Sequence, residues 1–324
     1  MQSSKSQSSE EQLSVTTPPW FSHNSPHFPS NSKPTLHLRV VKTAPIPFGS
    51  KVLSFERPRV MGILNATPDS FHAGSRVDAQ SSISKARTMV QEGADMLDLG
   101  GQSSRPGAET IGSEAEWVRI QPVLEGILER WPDLPLSVDT YHADVARKAI
   151  EAGAHMINDI SAGTLDPELP HAVAEGGVPM AIMHMQGTPK TMQKSPAYID
   201  VHAEVKSHLS QRVQSLKGMG IEHLIVDPGF GFGKSLQDNY LLLSNLRELQ
   251  ELRCPVLIGI SRKSMIYKPL DLSPDTALNG TTALHAWGLD RGANILRVHD
   301  VAPAVECIAL YEYLRKAHSA SGHD

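Results

Sequence analysis

Cysteine is scarce in this chain: Cys254 and Cys307 are the only two in 324 residues, and they lie far apart without metal-site spacing. That scarcity excludes a disulfide-stapled scaffold and fits two core thiols in a reducing compartment, so a cytoplasmic location is expected. No apolar run is long enough to span a bilayer, and no membrane association is expected. Positive charge is not in excess either. Thirty Lys and Arg against 35 Asp and Glu give a net charge of −5 at pH 7, which argues against nonspecific nucleic-acid binding and against an anionic membrane surface. An anionic small substrate stays open, because the field inside a site is set locally. Arginine is missing from residues 1–34, and Glu10 and Glu11 are present, so this segment does not read as a transit peptide. It has no apolar stretch for a secretory signal. Rich in Ser, Pro, Asn and His and without helical or strand period, residues 1–34 are expected to form a disordered tail.

What the chain does contain begins with two alternating runs, Leu36-His-Leu-Arg-Val-Val41 and Lys51-Val-Leu-Ser-Phe55, which predict a hairpin or edge segment over 35–57. From Arg59 onward, short apolar runs alternate with amphipathic stretches of helical length. The pairs are Arg59–Leu64 with Ala79–Glu92, Met96–Gly101 with Ser113–Arg130, Leu136–Thr140 with Ala143–Ala152, and Met156–Ile160 with Asp166–Glu175. They continue with Met180–Met185 and Ile199–Gly218, Leu224–Asp227 and Asp238–Leu252, Val256–Ser261 and Pro274–Gly288, and Ile295–His299 and Ala302–Lys316. Runs buried on both faces and separated by helices imply parallel strands. Eight units in roughly 250 residues predict an α/β fold, a (β/α)8 TIM barrel over 58–318 followed by a short tail at 319–324. A doubly wound open sheet is the competing architecture. It requires a nucleotide signature after its first strand, and Asn65-Ala-Thr-Pro-Asp69 is not one.

In a barrel the loops after the strands carry the chemistry, and all eight predicted strands end in polar residues. In order, the ends are Asn65, the Gly100-Gly-Gln-Ser-Ser-Arg-Pro-Gly107 stretch, Asp139-Thr140, Asn158-Asp159, Met183-His-Met-Gln186, Asp227-Pro-Gly-Phe-Gly-Phe-Gly-Lys234, Gly259-Ile-Ser-Arg-Lys-Ser264 and Arg297-Val-His299. Polar capping alone accounts poorly for eight of eight. Arg297 and His299, two apart on a strand, project to one side, and two cationic-capable donors there suit an anion, most simply a phosphate. The glycine-rich stretch after the sixth strand superficially resembles a phosphate-binding P-loop. Pro228 stands where its first glycine is required, so the spacing fails, and the stretch reads as a turn with Lys234 exposed.

These blocks together resemble the dihydropteroate synthases of the folate pathway, within the pterin-binding barrel family. The resemblance rests on Met61-Gly-Ile-Leu-Asn65 with Thr67-Pro-Asp-Ser-Phe71, Asp98-Leu-Gly-Gly101 with Arg105-Pro-Gly-Ala108, Ser137-Val-Asp-Thr140, and Ala152-Gly-Ala-His-Met-Ile-Asn-Asp-Ile160. It continues through Met183-His-Met-Gln-Gly-Thr-Pro189, Asp227-Pro-Gly-Phe-Gly-Phe-Gly-Lys234, Ser261-Arg-Lys-Ser264 and Arg297-Val-His-Asp300, so it covers about residues 58–314 in the right order. It implies condensation of a 7,8-dihydropterin bearing a CH2-pyrophosphate with the amine of p-aminobenzoate, releasing pyrophosphate, in an enzyme that is usually a homodimer. A methyltransferase-type pterin barrel is a rival, but has no need of Ser261-Arg-Lys-Ser264 or of the phosphate pair on the eighth strand. A non-catalytic pterin-binding scaffold is another, and the filling of every matched polar position speaks against it.

The resemblance also implies roles. Asp227 would accept from the pterin's amino group and ring N–H, with Asn158 on the ring nitrogens and Lys263 on the carbonyl and N5 side. Met183, Phe232, Gly259 and Arg297 complete the pterin site. Asn65, Ser104, Arg105, Arg297 and His299 would bind the pyrophosphate, and Asn65 is the expected protein ligand of a Mg2+ bridging the phosphates. Asp139, near N8, would be the counter-charge to a cation developing on the pterin methylene, as a stabiliser and not a nucleophile. Catalysis would thus rest on Asp139, Lys263, Arg297 and His299. Phe71, Ser104, Arg105, Pro106, Lys263 and Ser264 would hold p-aminobenzoate, with the Ser264 hydroxyl and the start of the seventh helix on its carboxylate. Departures from the family pattern are Ala66, Gln102, Ser104, His72-Ala73-Gly74 and Met265-Ile-Tyr-Lys268. The loop changes fall where p-aminobenzoate, and sulfonamides that mimic it, would be covered.

Overall fold

Pro45 precedes the first residues that pair, and Pro47 is one of them. In the computed structural model, which describes residues 43–66, 76–102, 110–192 and 196–320, Ile46–Phe48 (β1) and Lys51–Leu53 (β2) form an antiparallel hairpin. Gly49, at φ +58, makes its tight turn. The predicted second arm therefore stands, and it pairs with Ile46–Phe48; the other expected run, Leu36–Val41, lies outside the described residues together with the tail at 1–34. Burial supports the pairing: Ile46, Phe48 and Leu53 share one face, and all are at most 9 % exposed.

Eight parallel strands follow: β3 (Arg59–Asn65), β4 (Met96–Gly100), β5 (Leu136–Asp139), β6 (Met156–Asp159), β7 (Met180–Met183), β8 (Leu224–Asp227), β9 (Leu257–Ile258) and β10 (Ile295–Val298). They neighbour one another in chain order, and β10 pairs back onto β3 with Arg297 beside Met61. A parallel bridge from Val226 to Val256 joins β8 to the chain entering β9. These two contacts close the sheet, so the doubly wound alternative is set aside and the (β/α)8 barrel stands. The outer layer is α1 (Arg76–Gln91), α2 (Ser113–Arg130), α3 (Ala143–Glu151), α4 (Leu169–Gly176), α5 (Val201–Gly218), α6 (Leu236–Ser244), the four-residue α7 (Ser264–Tyr267), α8 (Leu278–Asp290) and α9 (Val301–Ala320). Among the described residues no helix is long and apolar enough to cross a membrane.

Several boundaries move for local reasons. Asp200 accepts from the Ala203 amide as an N-cap, so α5 starts at Val201 and not at Ile199. The helix expected over 238–252 starts earlier, at a reciprocal Ser235–Asp238 capping box, and tightens into a 3-10 segment at Leu246–Leu252. The strand expected over 256–261 keeps only Leu257–Ile258, because Arg262 adopts φ +55 and turns the chain sharply. The seventh unit's helix divides into α7, a 3-10 turn at Pro274–Thr276, and α8. The last helix runs to Ala320, beyond Lys316.

Inside the barrel the pleat sorts the side chains into tiers. The lower tier is Met61, Met96, Met156, Ala181, Ile225, Leu257 and Ile295, which cluster with Ile46, Phe48, Leu53 and Phe55 of the hairpin segment. The hairpin thus plugs the N-terminal end of the barrel with aromatic and aliphatic bulk. Phe48→Ala is expected to cost about 3–5 kcal/mol of stability, read as a lowered midpoint in denaturant unfolding. An unchanged midpoint would show that the plug does not support the barrel. One pleat repeat further up each strand, side chains return to the same face, and there the chemistry changes.

Candidate active site

Two residues beyond the lower tier stand Asp98 on β4, Asp139 on β5, Asn158 on β6, Met183 on β7, Asp227 on β8, Gly259 after β9 and Arg297 on β10. Most of this tier is polar, and it is tied together across the barrel. The Arg297 guanidinium donates from Nε to Asp98 Oδ2 (2.6 Å) and from Nη2 to Asp139 Oδ2 (2.7 Å). Asp98 Oδ2 also accepts from Asn158 Nδ2 at 2.9 Å. The chain Asn158–Asp98–Arg297–Asp139 therefore joins four strands that are far apart in sequence.

Burial dominates the charges here. It raises Asp139 to about 7, the Arg297 cation opposing and Asp98, Asp159 and Asp227 adding to the rise. Burial also raises Asp227, against the pull of Lys263 and the Gly229 amide, which donates to Asp227 Oδ1 at 2.7 Å. Lys263 is lowered to about 8, first by burial, with Asp227 opposing. Its ammonium donates to the Phe230 carbonyl and lies 4.6 Å from the centroid of the Phe232 ring, a cation–π contact. A Cβ at Gly259 would stand 3.7 Å from Lys263 Nζ and 3.8 Å from Asp227 Oδ2. Glycine there leaves the space between the two groups open.

The predicted pterin residues Asp139, Asn158, Met183, Asp227, Phe232, Gly259, Lys263 and Arg297 all lie on this inward tier or on the two loops bordering it. Asn65 ends β3 at the exposed rim, its Oδ1 close to Gly100. His299 follows β10, its amide and Nδ1 both within reach of Ser261 Oγ, at 3.2 and 3.1 Å. Arg297 does not face the rim as a lone cation, because two of its nitrogens are engaged by the Asp98 and Asp139 carboxylates. Phe71, Ser104, Arg105 and Pro106 lie outside the described residues. Ser264 does begin a helix, but α7 is one turn long, so the dipole expected to support a carboxylate there is slight. The roots of the second loop are fixed: the Ile111 amide donates to Gln102 Oε1 at 2.7 Å, and Arg119 Nη1 donates to the Gly101 carbonyl at 3.1 Å.

One expectation is overturned. Lys234 is not exposed: it is 4 % accessible, with its ammonium turned inward onto carbonyl oxygens of its own glycine-rich turn. Asp98 also escaped sequence reasoning as a site residue. Its signal was a lone carboxylate in mid-strand, flanked by Leu97 and Leu99, where a charge survives only with buried partners. Glu116 is a further buried carboxylate, raised to about 7 by burial and bonded by the Thr140 hydroxyl at 3.0 Å, under the second loop's root. Nothing in its helix sequence distinguishes it from an exposed glutamate.

A closed barrel whose inner tier sets carboxylates, an amide and two cations together has the form of a barrel enzyme's active site. The pterin binding enzyme family matches residues 61–299. The dihydropteroate synthase of Escherichia coli strain K12 is 44 % identical over 266 residues, covering 80 % of this chain and 93 % of that one. Among solved structures, Yersinia pestis dihydropteroate synthase in a sulfonamide drug complex superposes with a TM-score of 0.80 at 40 % identity, over 84 % of this chain and 100 % of that one. Xanthomonas albilineans dihydropteroate synthase with 4-aminobenzoic acid gives 0.78 at 41 % identity, over 84 % and 98 %. The chain is a pterin-binding barrel enzyme. Within that class it belongs to the dihydropteroate synthase family.

Proposed function

We propose that this chain condenses 6-hydroxymethyl-7,8-dihydropterin diphosphate with p-aminobenzoate, giving 7,8-dihydropteroate and pyrophosphate for folate synthesis. The observation that carries the reading is the buried polar tier, which matches the hydrogen-bonding edge of a pterin acceptor for donor. Asp227 accepts from the exocyclic amine and the adjacent ring N–H. Asn158 donates and accepts at the ring nitrogens, and Lys263 donates to the carbonyl and N5 side. A partner missing from such a buried set leaves an unpaired polar group costing ~1–3 kcal/mol. Met183 supplies an apolar wall, and Phe232 lies beneath the Lys263 ammonium.

The C–O bond to the pyrophosphate breaks first, and its electron pair leaves with the phosphate oxygen. The positive charge left on the pterin methylene spreads into the ring, and the Asp139 carboxylate faces it as a fixed counter-charge. The lone pair of the p-aminobenzoate amine then forms the C–N bond, and the amine gives up one proton. Arg297 holds Asp139 in place through its 2.7 Å bond and contributes positive charge below the departing phosphates. His299 and Asn65, on the open rim, meet those phosphates, with Ser104 and Arg105 of the second loop. Lys263 and Ser264 border the p-aminobenzoate slot opposite Phe71 and Pro106.

Magnesium fits this arrangement as an ion carried in with the substrate. Among the described residues no group of three or more His, Cys, Asp or Glu could hold a metal, whereas Asn65 offers one neutral oxygen at the rim. When bound, Mg2+ neutralises charge on the leaving pyrophosphate. Excess chelator is expected to abolish pyrophosphate release, and added Mg2+ to restore it; full activity in chelator would remove the metal from the reading. A homodimer in the cytoplasm completes the proposal. It is supported by the exposed apolar side chains Trp287 on α8 and Leu310, Tyr313 and Leu314 on α9, and by the two buried free cysteines. The deciding experiment is pyrophosphate release assayed with each substrate alone and with both. Release that p-aminobenzoate does not accelerate, with no dihydropteroate formed from the two substrates together, would rule out the condensation.

A further inference from the structure

Lys234 sits between Gly233 and the N-cap of α6, and its ammonium is buried without a carboxylate in hydrogen-bond contact among the described residues. Its acceptors are the carbonyl oxygens of Gly229 (2.9 Å), Phe232 (3.0 Å) and His184 (3.3 Å), and His184 Nδ1 at 3.1 Å. Burial pushes the ammonium down to about 7, with Asp227 opposing the fall. A buried cation bonded to neutral acceptors costs stability, and a solvent-facing residue at this position would avoid that cost. The acceptors show what the arrangement achieves. Two belong to the turn after β8 and two to the residue after β7, so the lysine joins the backbones of two neighbouring loops.

The joined turn carries the pterin-facing groups. Its Gly229 amide bonds Asp227, its Phe230 carbonyl accepts from Lys263, and its Phe232 ring lies beneath the Lys263 ammonium. The turn is also pressed hard against the β7 end: a Cβ on Gly229, which has φ +73, would come within 1.9 Å of the His184 carbonyl oxygen. Three carbonyl dipoles converge there, and without a donor among them they repel. We propose that Lys234 is a positioning residue for pterin recognition, gathering the 229–232 turn onto His184 and so fixing Asp227 and Lys263 at the separation the pterin edge requires. The proposal rests on the reading of Asp227 and Lys263 as pterin contacts. Lys234 itself touches no substrate.

The test uses the full chain with Lys234→Met, which keeps length and removes the donors, and Lys234→Gln, which restores two donors without charge. Steady-state rates are measured with each substrate varied separately, and thermal melting is recorded alongside. Lys234→Met is expected to raise the KM for the pterin substrate at least about tenfold while the p-aminobenzoate KM stays within about twofold, as displacement of binding groups by a fraction of an ångström requires. Lys234→Gln falls between. A lysine that only stabilised the fold would lower the melting temperature and the active fraction but leave both KM values in place. A pterin KM within about twofold of wild type, or equal rises in both KM values, overturns the proposal. If Lys234→Met does not fold, Lys234→Gln decides: a rise of about threefold or more confined to the pterin KM supports it, and no rise overturns it. Asp227→Asn is run in parallel. An unaffected pterin KM there sinks the reading of the site, whereas an effect there with none at Lys234 sinks this inference alone.

Discussion

Asp139→Asn is expected to lower kcat by about 10²–10³-fold while the chain stays folded, the loss typical of removing one preorganised electrostatic group from a transition state. The substitution keeps the size and one carbonyl oxygen of the side chain, so Arg297 retains an acceptor in addition to its 2.6 Å bond to Asp98. What disappears is the negative charge facing the developing cation. Because burial raises Asp139 to about 7, the wild-type rate should climb as pH rises through that value, the protonated form lacking the counter-charge. The limb belongs to the neighbouring raised carboxylates Asp139 and Asp227 together, yet its amplitude should collapse in Asp139→Asn. A variant with wild-type kcat and an intact acid limb would remove Asp139 from the mechanism.

Lys263→Ala should be as severe, lowering kcat/KM by about 10²–10³-fold, because in the proposed reading one ammonium serves the pterin edge and its stem borders the second substrate. Its charge is held between the Phe230 carbonyl and the Phe232 ring, neither of which alanine can engage. Lys263 is lowered to about 8, and its cationic form is the active one, so activity should fall as pH rises through that value. Together the two groups give a narrow bell-shaped profile with its optimum between about 7 and 8. Lys263→Ala should flatten the alkaline side and leave the acid side. An alkaline limb unchanged in the variant would assign that limb elsewhere.

Much of this was legible in the sequence because a barrel strand writes its function at its C-terminal end. The alternation of short apolar runs with helical stretches identified all eight units, and polar ends marked the mouth. The inward tier was harder to read, since it depends on which face each strand turns inward. Asp98 is the instructive case: it stands mid-strand between leucines, two residues short of the polar end that drew notice, yet it bonds both Asn158 and Arg297. Lys234 was misplaced for a different reason. Lysine after a glycine-rich turn is usually solvent-facing, and only the turn's folded shape, with Gly229 and Gly233 at φ +73 and +61, aims carbonyls inward at it. The alternation at Leu36–Val41 lies outside the described residues, whereas Ile46–Phe48, three residues long, is too short to stand out in the sequence and is recognised only by its burial against the barrel end. Met265–Lys268 includes two buried side chains of α7, and the structure gives no functional reason for its departure from the family pattern.

The hairpin beneath the barrel makes the catalytic space a cup with a sealed base. Met61, Met96, Met156 and Ile295 pack in one cluster with Phe48 and Phe55 of the hairpin segment, which fill the space below them. Everything the reaction consumes and everything it discards must therefore share one doorway. In the proposed condensation the pyrophosphate and the finished pteroate leave past Asn65 and His299 at the exposed rim, so traffic there sets the order in which reactants and products change places.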